Sequence, residues 1–169
     1  ICCSFAPHRF SFGCGAKEQQ IDSSTQKDLQ TKVDEKKITV VDVDSTTRPY
    51  AVVINNSTVA VQIQTGLQQA YIIYEFPVEG YQSRLMALYK DAPDFTIGTI
   101  RSARHNFLDY VMEHDAIFIH YGWSHYAERD EKNLDYDYIN GIFGGPFWRE
   151  NPEGLASEHT AYTSINRIK

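Results

Sequence analysis

The sequence predicts an α/β domain with a mixed central β-sheet flanked by helices, preceded by a disordered N-terminal tether. Three apolar, β-rich runs predict strands, because a strand that is covered on both faces is apolar throughout instead of alternating. These runs are residues 50–54, 71–76 and 116–121. From Ala103 onward, apolar residues recur every three to four positions, which predicts an amphipathic helix. Strands that alternate with helices favour a layered α/β fold.

The bulk composition bounds the class of protein. A chain of 169 residues, 42% of them hydrophobic, is long enough for one domain with a tail. The formal charge of −6 argues against a general nucleic-acid surface. No run of about 18 apolar residues is present, so the sequence predicts no membrane-spanning helix. All three cysteines lie within the first fourteen residues, which excludes a disulfide framework for the folded body.

Two segments are predicted ahead of the fold. Residues 1–14 resemble the remnant of a signal segment that ends at Gly13-Cys14, because bacterial lipoprotein signals end with small residues before a lipidated cysteine. Cys14 is therefore the candidate lipidation site. Residues 15–47 predict a flexible polar tether, since most of this stretch is rich in polar residues and lacks aromatic ones. An ordinary disordered terminus is the alternative, and the folded domain then occupies residues 48–169.

The first half of the folded domain is divided by turn residues. Asn55, Asn56 and Ser57 end the first predicted strand, since such side chains hydrogen-bond their own backbone in turns. Residues 66–70 predict a short helix before the second strand. Residues 83–90 fit either a helix or a hairpin partner for the second strand.

The second half contains the predicted helix and the third strand. Residues 97–100 predict a further short strand. The helix then covers residues 103–114, with Ser102 as its N-cap. Gly122 ends the third strand, and the sequence beyond it predicts loops and short elements.

Two arginines stand out at the start of the predicted helix. Arg101 and Arg104 would lie at the positive end of the helix dipole, where cations are disfavoured. A compensating anion is therefore expected, either a ligand or the carboxylate of Glu75, Glu79 or Asp115. Backbone N–H groups at a helix start, together with forked guanidinium groups, suit a phosphate or carboxylate ligand. The alternative is an internal ion-pair network, since structural pairs are common.

Several short motifs together resemble the YerB-like family of bacterial lipoproteins. They are Arg48-Pro49-Tyr50-Ala51-Val52 leading to Asn55, Gln64 to Ala70, Ile73-Tyr74-Glu75, Val78-Glu79-Gly80 with Ser83-Arg84, Ile97-Gly98 with Ile100 to Arg104, and Asp115-Ala116 with His120 and Gly122. The resemblance covers about residues 48–164. Tyr71, Thr99 and Thr160 depart from the Asp, Pro and Asn that the family pattern leads one to expect.

The resemblance implies a location and a domain order, but no reaction. It implies a lipid-anchored protein on the extracytoplasmic face of the bacterial cell membrane. It also implies that a second, smaller domain follows this one in the family. No activity comes with the resemblance.

Eight side chains are candidate ligand-binding groups. They are Arg101, Arg104, His120, Glu75, Glu79, Arg84, Asn55 and Asp115. His120 ends the third predicted strand, and ligands of α/β sheets bind beyond the carboxyl ends of strands. The alternative is a histidine that is hydrogen-bonded at the strand end. No metal site and no cofactor are predicted, because neither an HExxH motif nor a cysteine–histidine ligand set is present.

The sequence leaves three functions open and does not decide whether the protein is an enzyme. The first is a non-catalytic binding module for a cell-wall component or an envelope protein, attached to the membrane through its lipid only. The second is a hydrolase or transferase on an anionic envelope glycopolymer, with Glu75, Glu79 or Asp115 as acid or base. The third is a structural module that supports the C-terminal domain.

Overall fold

The structure is a computed structural model that describes residues 41–42, 44–151 and 153–169. The predicted signal remnant with Cys14 lies outside the described residues, as does the tether up to residue 40. Their predicted roles therefore stay predictions. No helix within the described part of the chain is long and apolar enough to cross a membrane.

The last residues of the predicted tether contact the folded body. The carbonyl oxygen of Ser45 accepts a hydrogen bond from Lys90 Nζ at 3.0 Å. The Thr47 hydroxyl donates to the carboxylate of Asp91. The chain is thus attached to the domain at least three residues before Arg48.

Eight strands in the described residues form two sheets. Their bounds are β1 (Tyr50–Asn55), β2 (Ile72–Pro77), β3 (Ser83–Tyr89), β4 (Thr96–Gly98), β5 (Ile117–His120), β6 (Tyr138–Asn140), β7 (Trp148–Arg149) and β8 (Ala161–Ser164). The central sheet has the order β2-β3-β1-β5-β6, and the second sheet has the order β4-β8-β7. Strand β1 is antiparallel to β3 and parallel to β5, which is parallel to β6. The central sheet is mixed, and this prediction is confirmed.

The helices of the described residues are short. They are α1 (Leu108–Glu113), α2 (His125–Glu131) and α3 (Ile165–Ile168), with single 3₁₀ turns elsewhere. The short helix expected at residues 66–70 is a 3₁₀ turn over Leu67–Gln69. Of the two alternatives for residues 83–90, the hairpin is correct, because β3 runs antiparallel to β2.

Helix α2 was not predicted, although its start carries a capping residue. The Ser124 hydroxyl accepts a hydrogen bond from the backbone N–H of Ala127 at 3.3 Å, which makes Ser124 the N-cap. Only Ala127 and Glu131 of this helix are buried. A helix with one buried apolar residue has no apolar periodicity, so the sequence pattern could not reveal it.

The predicted helix start at Ala103 is wrong. Arg104 has extended backbone angles, and the first helical turn is the 3₁₀ turn His105–Phe107. Ser102 does not cap a helix, because its hydroxyl donates to the carbonyl oxygen of Tyr121 at 3.0 Å. The N–H of Ala103 bonds the carbonyl of Gly122 at 2.8 Å. Because the N–H of Ala103 is used in this tertiary hydrogen bond, the helical segment begins only at His105. Arg104 directly precedes it as the N-cap residue, and Arg101 lies outside the helix.

The central sheet is covered on both faces by apolar side chains. One face packs against the segment that contains α1, through Ala51, Val53, Met86, Leu88, Phe107, Leu108, Val111 and Phe118. The other face packs against the second sheet and α3, through Val52, Ile54, Ala87, Tyr89, Ile97, Ile119, Ala161 and Ile165. Burial on both faces explains why the strand at residues 50–54 is apolar throughout.

Candidate functional site: a cationic cleft at the carboxyl edge of the sheet

The candidate site lies where the parallel strands β1 and β5 end. Asn55 ends β1 and His120 ends β5, and parallel strands bring their carboxyl ends to the same edge of a sheet. Arg84 is opposite Asn55 in the antiparallel register of β3 with β1. The segment around Arg101 crosses this edge, since its N–H donates to the carbonyl of Val53 at 3.0 Å. The fold thus gathers four of the eight candidate side chains at one edge.

Arg101 is a partly satisfied guanidinium. Its side chain is 15% exposed, and Nη1 donates to the carbonyl oxygen of Glu158 at 2.9 Å. Nη2 lies 3.7 Å from Glu158 Oε1. Nε is buried and has no hydrogen-bond partner among the described residues. Burial and the nearby Arg104 lower the pKa of Arg101, and Glu158 opposes this shift.

A cleft of about 240 Å³ opens beside Arg101, and we call it the arginine cleft. Its walls include Arg101, Arg149, Tyr121, Trp123 and the Ser157–Glu158 segment. Small-molecule sites usually measure about 300–1,000 Å³, so this cleft suits a single ionic group or a small ring. Two arginines and one glutamate give its walls a formal charge of +1, in a chain whose net charge is −6.

Arg149 forms the second cationic wall of the arginine cleft. Its guanidinium carbon lies 4.6 Å from the centroid of the Tyr121 ring, at cation–π distance. Its Nη1 donates to the carbonyl of Ser157 and to the hydroxyl of Thr160, the latter at 3.1 Å. Within the described part of the chain, no carboxylate lies within 4.0 Å of it. The charge of Arg149 is therefore not neutralised by an ion pair there.

Asn55 fixes the protonation of a histidine near the cleft. The Asn55 Oδ1 atom accepts a hydrogen bond from the backbone N–H of Ser57 at 3.1 Å. The Nδ2 group therefore faces His159, 2.7 Å from Nδ1. Because an amide N–H donates, His159 Nδ1 accepts and the remaining hydrogen lies on Nε2. Burial and Arg101 lower the pKa of His159 below 6.5, which favours this neutral form.

Arg84 is buried, with 6% of its surface exposed. Its Nη1 donates to the carbonyl of Ser102. Among the described residues, no carboxylate lies within 4.0 Å of its guanidinium. Burial, followed by repulsion from Arg104 and Arg101, lowers its pKa to about 10. A buried arginine without a carboxylate partner is unusual, and it adds positive charge behind the arginine cleft.

Arg104 is engaged in an internal ion pair. Its Nε lies 2.8 Å from both carboxylate oxygens of Glu79, and Nη2 is 2.8 Å from Oε2. The Arg104 guanidinium holds the pKa of Glu79 below its ordinary value. The expected compensating anion for Arg104 is therefore Glu79. For Arg101 it is Glu158, which the sequence analysis did not consider.

His120 lies in a buried pair with Glu131 of α2. The Nε2 atom of His120 is 2.6 Å from Glu131 Oε1, although the pair lacks the alignment of a regular hydrogen bond. Nδ1 lies 2.7 Å from the carbonyl oxygen of Gly122, so Nδ1 carries a proton. His120 is inaccessible to solvent, and the structure gives it an internal partner.

The remaining two candidates have partners elsewhere. Asp115 lies at the opposite end of β5 from His120 and pairs with Arg48 Nη2 at 3.1 Å. Glu75 accepts hydrogen bonds from Asn56 and Ser83. Neither carboxylate reaches Arg101 or Arg104. Of the carboxylates proposed for acid–base chemistry, none lines the arginine cleft.

A larger open groove of about 760 Å³ lies at the turn between β2 and β3. Its walls include Glu75, Tyr81 and Gln82, but no cationic side chain. It therefore does not suit the anionic ligand that the arginines indicate. The described residues contain no group of three or more His, Cys, Asp or Glu side chains placed to hold a metal ion.

Sequence reasoning missed Arg149, Glu158 and His159. They lie within very short elements, the strand β7 and the 3₁₀ turn Ser157–His159, and match no motif, so no periodic pattern marks them. The one available signal was the positive charge of Arg149 among aromatic residues. Arg149 follows Trp148 and lies near the Gly144-Gly145-Pro146 turn.

Comparison with known proteins confirms the predicted resemblance. A family model described as the N-terminal domain of a protein of unknown function, DUF3048, matches residues 21–169. The chain belongs to this family. The matched region begins within the predicted tether, and the family description assigns no reaction to the domain.

One curated relative and one solved structure extend this assignment. The relative, named "Putative lipoprotein YerB" from Bacillus subtilis (strain 168), is 38% identical over 124 residues. The match covers 72% of this chain and 37% of the relative. A crystal structure of the YerB protein from Bacillus subtilis matches with a TM-score of 0.65 and 37% identity, over 72% of this chain and 41% of that one. The DUF3048 domain described here thus spans less than half of each relative.

Proposed function

We propose that this DUF3048 domain is a non-catalytic binding module of a lipid-anchored bacterial envelope protein, and that the arginine cleft binds an anionic group of a cell-wall polymer. The observation that carries the proposal is the buried Nε–H of Arg101, which has no partner among the described residues. A buried donor without a partner costs about 1–3 kcal/mol. A bound anion toward which the guanidinium turns would accept from this donor and remove the cost.

The charge and size of the cleft support the same ligand class. Arg149 adds a second guanidinium without a carboxylate partner, and guanidinium groups bind phosphate and carboxylate in a planar, forked geometry. The buried charge of Arg84 adds to the positive potential. A cleft of about 240 Å³ accommodates one such group of a longer polymer. Envelope anchoring is supported by the Bacillus subtilis relative, which carries the name "Putative lipoprotein YerB".

The proposal is tested by binding of inorganic phosphate and of purified anionic wall fragments. We expect Arg101→Ala and Arg149→Ala each to weaken binding about tenfold or more, the loss of one charged hydrogen-bonding group. Arg129→Ala is the matched control, since it removes the same charge from an exposed side chain of α2. If a folded Arg101→Ala variant binds like the wild type, the cleft is not an anion site.

The anchoring part is tested separately. We expect Cys14→Ser to move the protein from the membrane fraction to the soluble fraction of bacterial cells. A Cys2→Ser variant is the control, because that cysteine does not follow the predicted signal. Membrane retention of the Cys14→Ser variant would contradict lipidation at this position.

A further inference from the structure

We propose that the carboxylate of Glu158 is an internal competitor for the anion position of the arginine cleft, and that a bound anion displaces it. The inference rests on the proposed function and adds a regulatory residue to the same site. Glu158 belongs to the cleft wall and is 59% exposed at its side chain.

The carboxylate lies between two donors without bonding either. Glu158 Oε1 is 3.7 Å from Arg101 Nη2 and 3.8 Å from His159 Nε2. Hydrogen bonds from nitrogen to oxygen measure about 2.7–3.2 Å, so both distances are too long. An exposed pair at such a distance contributes about 0–1 kcal/mol. The carboxylate thus marks the position of an anion but is held there weakly.

The backbone of residues 157–158 is fixed by hydrogen bonds, whereas the Glu158 side chain is not. Arg101 Nη1 donates to the carbonyl of Glu158 at 2.9 Å, and Arg149 donates to the carbonyl of Ser157. These bonds fix the 3₁₀ turn Ser157–His159 and orient both guanidinium groups. The Glu158 side chain can therefore rotate into solvent while the donors stay in place.

The donors left behind suit an oxyanion that can accept several hydrogen bonds. Arg101 offers Nε–H, which has no partner in the described residues, and Nη2–H. His159 offers Nε2–H, because Asn55 holds Nδ1 as the acceptor. A phosphate or carboxylate oxygen pair that reaches hydrogen-bonding distance would satisfy donors that Glu158 only approaches.

Under competition, the apparent affinity equals the intrinsic affinity multiplied by the fraction of molecules whose cleft is open. If the Glu158 contact is worth about 1 kcal/mol, its removal raises affinity about fivefold. Glu158→Gln removes the charge and the competition together. Glu158→Asp keeps the charge but shortens the side chain by one carbon–carbon bond, about 1.5 Å. It therefore removes only the approach of the carboxylate to Arg101.

The experiment is a titration of each variant with inorganic phosphate at constant ionic strength, followed by the NMR signals of arginine Nε–H groups. We expect Glu158→Gln and Glu158→Asp both to bind phosphate about threefold or more tightly than the wild type. Glu113→Gln, an equal charge change at an exposed position of α1, should leave affinity unchanged. Adding Arg101→Ala should abolish the gain in each variant.

The outcomes separate the two proposals. If only Glu158→Gln gains affinity, the effect is general charge repulsion, and the competitor role is wrong. If neither variant gains affinity while Arg101→Ala still weakens phosphate binding, the competitor role is wrong but the anion site stands. If no variant shows binding that depends on Arg101, both proposals are wrong.

Discussion

The buried pair of His120 and Glu131 makes a strong prediction about stability. Both side chains are almost inaccessible, at 0% and 5% exposure, and their nearest atoms are 2.6 Å apart. Breaking a buried pair by removal of one partner costs about 3–5 kcal/mol, because the other is left without compensation. In Glu131→Leu, the imidazole keeps its bond to the Gly122 carbonyl. We therefore expect a loss near the lower limit, about 3 kcal/mol.

Replacement of both partners should be much less harmful. The double variant His120→Phe/Glu131→Leu removes both buried polar groups that face each other, and similar replacements elsewhere are neutral or stabilising. The coupling free energy between the two changes should therefore be about 2 kcal/mol or more, in the range for residues in contact. The single variant should still fold, because domains unfold at a cost of about 5–15 kcal/mol.

Urea unfolding followed by tryptophan fluorescence measures these effects. With an m-value of about 2 kcal/mol per molar urea, Glu131→Leu should lower the midpoint by roughly 1.5 M. Glu128→Leu is the control on the same helix: it removes a surface pair with Lys132 and a side-chain contact with Trp123, so its cost should be much smaller. A cost below about 1 kcal/mol for Glu131→Leu, or additive costs in the double variant, would refute the buried-pair reasoning.

Three further predictions concern other parts of the domain. Arg84→Met should leave the free energy of unfolding unchanged or raise it by about 1–2 kcal/mol, since it removes a buried charge without a carboxylate partner; a urea midpoint lowered by 1 M or more (about 2 kcal/mol) would contradict this. Burial lowers the pKa of His159 below 6.5, so the unfolded chain binds the proton more tightly than the folded one. The wild type should therefore lose stability relative to His159→Gln as pH falls below 6.5. Melting temperatures of the two proteins that change equally with pH over that range would contradict this. A Cβ on Gly98 would overlap the Tyr162 ring, so Gly98→Ala should destabilise the domain by about 1–3 kcal/mol. The same change should cost clearly less in a Tyr162→Ala background. Equal costs in the two backgrounds would show that the ring is not the cause.

The arginines show how far the sequence could lead toward the site. The sequence indicated that Arg101 and Arg104 need anionic partners, and the structure gives each of them a glutamate. The helix-dipole argument fails for Arg101, which lies before the helix start, whereas Arg104 is the residue directly before the first helical turn. Glu79 was among the expected partners, whereas Glu158 is 57 residues from Arg101 and belongs to no motif. Local patterns carry no information about which distant side chain meets a given one.

The sequence by itself determined the class of this protein. The apolar run at residues 50–54 is a local consequence of burial on both sheet faces, whereas the edge strand β2 alternates between exposed and more buried residues. The combined motifs sufficed to indicate the YerB-like family. Only the tertiary structure decided where the helical segment before α1 begins, since the Ser102 hydroxyl donates to the carbonyl of Tyr121 and the N–H of Ala103 donates to that of Gly122. It also decided which charges remain unpaired, because that depends on distances across the folded chain and not on positions along it.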